Sequence, residues 1–308
     1  MDYTPYRLKS WVCVQELDTK LLSLNPRAID MIQTEIETNP QTVNIAMLRG
    51  LSHNPNGPRV LETHTNIIEW EWMARNENGL NLIIQHLDGN DINWNILSNN
   101  PNPNAVNMLE LNPDKINWVE MSNNPNAIHL LEKNIGKIDW YWLSENPNAI
   151  SLLERNPKMI NWNQLSINPN AISLLMNNQD KINWSLLSSN PAAISLLESN
   201  IDKINWLQLS GNPGAIELLK KHPDRINWKV LNTNPSAGEI IENNKEKINW
   251  FWISKNPCIF EINYAKLYEK IAVFQEELIQ RCFHPDRLWY YLEKYNYDIG
   301  NDEYWSTV

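Results

Sequence analysis

A tryptophan returns every 22 residues, seven times in succession, at Trp118, Trp140, Trp162, Trp184, Trp206, Trp228 and Trp250. Asn-Pro pairs keep the same beat, from Asn124-Pro125 through Asn146-Pro147 to Asn256-Pro257. A period of this length is one supersecondary unit. Such a unit cannot bury its apolar face alone, so neighbours must stack and share a continuous core. The beat continues backward in worn form. Asn54-Pro55 and Asn76-Glu77 are again 22 apart, Asn102-Pro103 follows after 26, and Asn25-Pro26 opens a stretched unit of 29. Leu17 to Ser23 fits the Trp half of a unit, with Thr19 in the Trp position. This reading gives ten units from Asn25 to Lys255.

Within one unit, Asn146 suits a helix N-cap and Pro147 the first helical position. Ala149, Ile150, Leu152 and Leu153 give an apolar face at helical spacing, and Asn156 suits a left-handed helix end. One helix of about ten residues is expected there. Asn161 caps again, with Ile160 and Leu165 placed as a hydrophobic staple. Trp162 and Leu165 share a face, so Trp162 to Ser166 reads as a short helix, partly 3-10. A β-solenoid is opposed by the density of Pro and Asn. The expected fold is an all-α solenoid of about ten two-helix units, forming a rod or arc on the order of 100 Å long. Residues 1–24 read as an N-terminal cap with a partial repeat, 25–255 as the solenoid and 256–308 as a helical C-terminal cap. In that last segment Tyr264 to Cys282 and Pro285 to Tyr295 read as amphipathic helices.

Composition narrows the function. The net charge is −10, from 26 Lys+Arg against 36 Asp+Glu, which opposes a general nucleic-acid-binding surface. No apolar run is long enough to span a bilayer, and no signal peptide is visible. The three cysteines are far apart and odd in number, as in a reducing compartment, so a cytoplasmic location is expected. The six histidines are scattered without metal-ligand spacing, and His284-Pro285-Asp286-Arg287 reads as a turn into a helix. No phosphate loop, nucleophile elbow or carboxylate pair is present. The expectation is a non-enzymatic chain without cofactor or metal.

Four sets of columns are candidates for binding. The repeated Trp could stack on bases, but its Leu partner three residues on marks it as core. The recurring asparagines could read bases in a nucleic-acid-contacting array, yet capping already explains them. Lys115, Lys137, Lys181, Lys203, Arg225 and Lys247 share one position and form a candidate anion-facing stripe. Acidic neighbours such as Asp114 and Asp180 make a solvated mixed stripe the plainer reading. The position two residues after the repeated Trp varies most. It holds Trp72, Trp142 and Trp252 in three units but Glu120, Gln164 and Gln208 in others. A two-residue step turns a helical side chain about 200° away, so these tryptophans leave the face of the first. Trp72, Tyr141, Trp142, Phe251 and Trp252 are therefore candidate anchors for a protein partner.

The unit Asn-Pro-Asn-Ala-Ile-x-Leu-Leu-Glu-x-Asn-x-x-Lys-Ile-Asn-Trp-x-x-Leu-Ser resembles a repeat that fills proteins of giant DNA viruses of the mimivirus kind. The likeness runs from Leu17 to Pro257. Glu277 to Leu288, followed by Tyr297-Asp298-Ile299, is similar to a tail on such viral proteins. The resemblance implies a viral protein acting in host cytoplasm and carries no catalytic residue. The Asn-Pro beat is also similar, more loosely, to leucine-rich-variant repeats that alternate α and 3-10 helices. A component of the virus particle is the further alternative.

Overall fold

The structure is a computed structural model that describes residues 4–89, 91–282 and 284–295. It divides into two compact units, Leu8–Glu261 and Thr4–Arg7 with the chain from Ile262 onward.

The larger unit is the all-α solenoid. A middle repeat contains an α-helix at Ile150–Arg155, a 3-10 turn at Pro157–Met159 and a second α-helix at Trp162–Ile167. The first helix is shorter than the sequence predicts, because Asn146 to Ala149 make a turn before it. Asn156 does not adopt the left-handed conformation. Its φ is −130°, and its side-chain amide instead donates to the Leu152 carbonyl at 2.9 Å. Asn134, Asn178 and Asn200 close their helices in the same way.

The asparagine of each Asn-Pro turn does more than cap. Asn146 Oδ1 accepts the Asn148 N–H at 3.0 Å, as a capping oxygen should. Its Nδ2 reaches back one repeat and donates to the carbonyls of Ser122 and Asn124, both at 3.0 Å. Those carbonyls lie at the C-terminal end of the previous Trp helix, where helical partners run out. Eleven buried asparagines do the same, at positions 25, 54, 76, 100, 124, 146, 168, 190, 212, 234 and 256. The ladder runs through Asn100-Pro101, not Asn102-Pro103. Asn102 takes the place that Asn148 holds in its own unit, its N–H donating to Asn100 Oδ1 and its amide to the Glu77 carbonyl.

The ladder has no free end. Asn25 donates to the carbonyls of Ser254, at 3.1 Å, and Asn256, at 2.9 Å, as every other member does to its predecessor. The second inter-repeat bond closes too. Ser144 Oγ accepts the Asn161 N–H from the next repeat at 2.9 Å, and Ser254 Oγ accepts the Asp18 N–H at 2.9 Å. Arg27 stands where six other repeats have Asn, and its guanidinium donates to the Pro257 carbonyl just as Asn148 donates to Pro125. The solenoid is therefore a closed ring of eleven steps rather than a rod or arc. Its closing repeat is split between the termini, with Asn256–Ile259 supplying one half and Thr19–Ser23 the other. Beside this seam the Lys9 N–H donates to the Ile259 carbonyl at 2.9 Å. Solenoids need caps because their ends are open. This one closes on itself, so Thr19–Ser23 and Asn256–Ile259 complete a repeat instead of covering one.

Successive Trp helices pack directly on one another, as Thr19–Ser23 does on Ile45–His53 and Trp140–Glu145 on Trp162–Ile167. At the first of these contacts a Cβ on Gly50 would sit 1.8 Å from Ser23 Oγ, so no larger residue fits. Successive helices of the Ile150–Arg155 kind are instead tied by long side chains, Arg155 to Glu132 and Lys221 to Glu198 at 2.9 Å. In a closed ring the more closely spaced elements lie at the smaller radius. The Trp helices form the inner layer and the Ile helices the outer one. Helices spaced ~8–10 Å apart put the inner axes roughly 30 Å across, which leaves a bore of about 20 Å.

The core lies between the layers. Leu143, Leu165, Leu187 and Leu209, three residues after each Trp, are fully buried together with Leu131, Leu153 and Ala149. The Trp column itself is only half-buried. The sequence predicts indoles as the interior lining. The indole stands at the first residue of its helix, at the edge of the layer, so Leu fills the interior.

The smaller unit holds the helices Tyr264–Cys282 and Pro285–Tyr295, at the bounds the sequence predicts. Tyr297-Asp298-Ile299 lies outside the described residues.

Two outcomes check this account. Asn168→Ala should cost about 3–5 kcal/mol in urea unfolding, because it strands two buried carbonyls. Asn168→Asp should cost at least as much, since a carboxylate has no hydrogen to give. Asn161→Asp, at a position where the side-chain oxygen caps by accepting the Gln164 N–H, should stay within about 1 kcal/mol of wild type. The Cys258 thiol lies buried beside the seam, and burial pushes its pKa up to about 11. With Cys13 and Cys282 changed to Ser, Cys258 should resist alkylation at pH 8 until Asn25→Ala loosens the seam. Rapid labelling of the parent protein would contradict closure.

Candidate binding face

Counting from each Trp position, the residues three and four on are buried, those one on are exposed and those five on exposed or half-buried. Those two on range from buried, as Gln164 is, to exposed, as Trp142 is. Positions one, two and five are centred about 150° around the helix. On the inner layer this exposed side faces the bore. Asp139 holds the helix Trp140–Glu145 in place by accepting the N–H groups of Tyr141 and Trp142.

All five aromatic candidates stand on this face. Tyr141 is 45% exposed, Trp142 39%, Phe251 47% and Trp72 39%, with Trp252 half-buried. They form edge-on pairs. Tyr141 and Trp142 have ring centroids 5.2 Å apart at 87°, and Phe251 and Trp252 5.1 Å apart at 83°. Trp72 meets the His53 ring edge-on at 5.6 Å. Lys255 Nζ lies 5.2 Å over the Trp252 ring. The ring does not gather the three anchors into one cluster. They stand on the third, sixth and last of the Trp-type helices counted from Thr19, spread around the bore.

The lysine column is placed differently. Lys137, Lys181 and Lys203 lie 4.6, 4.5 and 4.3 Å over the indoles of Trp118, Trp162 and Trp184 in the preceding repeats. Lys115 and Arg225 face their neighbours Asp114, at 3.8 Å, and Asp224, at 3.4 Å, and Lys247 is exposed. Three of the six cations therefore cover indoles of the Trp column. His222 does the same for Trp206, with ring centroids 5.1 Å apart.

The sequence reading missed a groove of about 370 Å³ on the inner face, lined by Lys20, Ala46, Arg49, Gly50, His53 and Trp72. It lies in the most degenerate repeats. The 29-residue unit lengthens its helix to Ile45–His53, and only the register of Ser52 reveals which residues face inward. Desolvation raises the pKa of Glu145, five residues after Trp140 on the same face. On the outer layer, hydrogen bonds to Glu239 and Glu217 raise that of Lys220. Among the described residues no group of His, Cys, Asp and Glu could hold a metal ion, and no helix is long and apolar enough to cross a membrane. No family model, curated protein or solved structure matches this chain.

The cation–indole contacts carry their own test. Lys203→Ala should cost about 0.5–1 kcal/mol in urea unfolding, and Lys115→Ala, which covers no indole, close to nothing. Equal effects would contradict the structural role given to the column.

Proposed function

We propose that this protein is a non-enzymatic scaffold that binds another protein on the inner face of its ring. The observation that carries the reading is the contrast between positions on one helix. Those three and four residues after each Trp are apolar or small and buried throughout the middle repeats. Those one and two after it change freely and include five aromatic side chains at the surface. Exposed Trp and Tyr beside polar neighbours are the residues that anchor protein interfaces. A nucleic-acid array is disfavoured by the same geometry. Stacking needs an open π-face, yet Lys255 covers Trp252 and the aromatic pairs meet edge-on. The resemblance of the unit to giant-virus repeats supports a viral protein working in host cytoplasm.

The reading is tested by affinity capture with three forms of the protein. They are wild type, an inner-face variant with Trp72, Trp142 and Trp252 changed to Ala, and an outer-face variant with Arg155 and Lys221 changed to Ala. Partners held by wild type and by the outer-face variant should be lost from the inner-face variant. Equal recovery on all three would contradict the proposal.

A further inference from the structure

The closing of the ring brings together charges that the sequence keeps apart. Taking only the bore-facing positions, five consecutive Trp-type helices across the seam carry Lys229, Lys255, Lys20, Arg49 and Arg75, with His53 beside them. The same positions on this arc hold one carboxylate, Glu71. The other six helices hold Glu120 and Glu145 and no cation. In sequence Lys20 and Lys255 are at opposite ends of the repeats. The bonds from Asn25 to Ser254 and Asn256 make their helices neighbours.

Lys255 lies over the Trp252 ring, but the other cations of the arc are little engaged. Among the described residues Lys20, Arg75 and Lys229 make no ion pair with a carboxylate, and all three are exposed. Arg49 has only a long contact to Glu69, at 3.8 Å, and 56% of its side chain stays exposed. Elsewhere long basic side chains do find partners, as Arg155, Lys220 and Lys221 show. In a chain of net charge −10 this arc is a local positive field, which draws an acidic ligand to it. Lys20, Arg49 and Trp72 also line one groove, so charge and aromatic surface form a single patch.

We infer that the arc from Lys229 to Arg75 is the docking site for an acidic peptide segment that also carries apolar side chains. Its carboxylates meet Lys20, Arg49, Arg75 and Lys229, and an apolar residue enters the groove against Trp72. The inference rests on the inner face being a protein-binding surface and specifies what it binds. The partner's segment is an extended chain or a single helix, because a bore of about 20 Å admits one helix with its side chains and little more.

The test uses the full chain and fluorescein-labelled probes followed by anisotropy. The probes are a synthetic peptide alternating glutamate with leucine, its counterpart alternating lysine with leucine, a serine–leucine peptide, and oligothymidylate. The glutamate–leucine peptide should bind best and weaken as salt rises. Lys20→Glu, Arg49→Glu and Lys229→Glu together should weaken it at least tenfold, while the outer-face change Lys158→Glu leaves it unaltered. Trp72→Ala should weaken it without changing the salt dependence. Equal binding of the glutamate and lysine peptides, or no response to the triple charge reversal, overturns the inference. Tighter binding of oligothymidylate also overturns it. If the serine–leucine peptide binds best and Trp72→Ala abolishes it, the acidic specificity fails while the protein-binding reading stands. If no peptide binds, both fail.

Discussion

A primary amide has two hydrogens to give, and this architecture uses both on the backbone of the repeat before. The end of each Trp helix leaves carbonyls without partners, and burying them unpaired would cost a few kcal/mol each. The ladder asparagine meets two of them while its own oxygen caps the turn that follows. Every interface between repeats is thereby fixed by the same three atoms, with burial of Leu and Ala around them. A spacing set by hydrogen bonds of 2.7–3.2 Å tolerates little variation. Repeats of 22, 24 and 29 residues therefore stack at the same step, and their extra residues are accommodated beside the ladder, as in the lengthened helix Ile45–His53.

Closure follows from that uniformity. Equal steps that curve by a constant amount return to the start if their number fits, and here eleven do. The seam reuses the ordinary bonds of the interior, including the serine bond to Asp18 and the guanidinium of Arg27 in place of an Asn amide. Sharing the last repeat between Thr19–Ser23 and Asn256–Ile259 makes the first and last segments of the solenoid hold each other. An open stack would expose one apolar face at each end, and the ring exposes neither. It also converts a surface into an inside. Side chains spread along a rod would meet a partner in sequence, but on the inner layer they converge on one space.

The period, the helices and the exposed anchors were legible because each depends on local pattern. Trp142 leaves the face of Trp140 by simple helical geometry, and Tyr264–Cys282 announces itself by length and amphipathicity. The ladder was hidden because capping explains an asparagine oxygen and says nothing about its amide. The sequence did hold the clue. The column before each Trp needs only a capping oxygen at most, and it accepts Asp18, Glu69 and Asp139 as well as Asn. The ladder column accepts Asn alone at all eleven positions, which capping does not require. Closure was hidden for a different reason. It depends on curvature per repeat, a quantity that no single unit displays, although Leu17–Ser23 lacks an Asn-Pro half and Asn256-Pro257 lacks a Trp half. The contacts of Lys137, Lys181 and Lys203 were hidden because Trp faces in the preceding repeat, 19 residues away, are invisible to a one-dimensional reading.

Closure is tested most directly by the distance between the first and last Trp-type helices. Spin labels placed at Lys20 and Lys255, both on the inner face, report that distance by electron–electron double resonance. The ring predicts a single short distribution, with backbones about one helix spacing apart, roughly 10 Å. A separation of many tens of Å, on the order of the ~100 Å expected of an open arc, would contradict it.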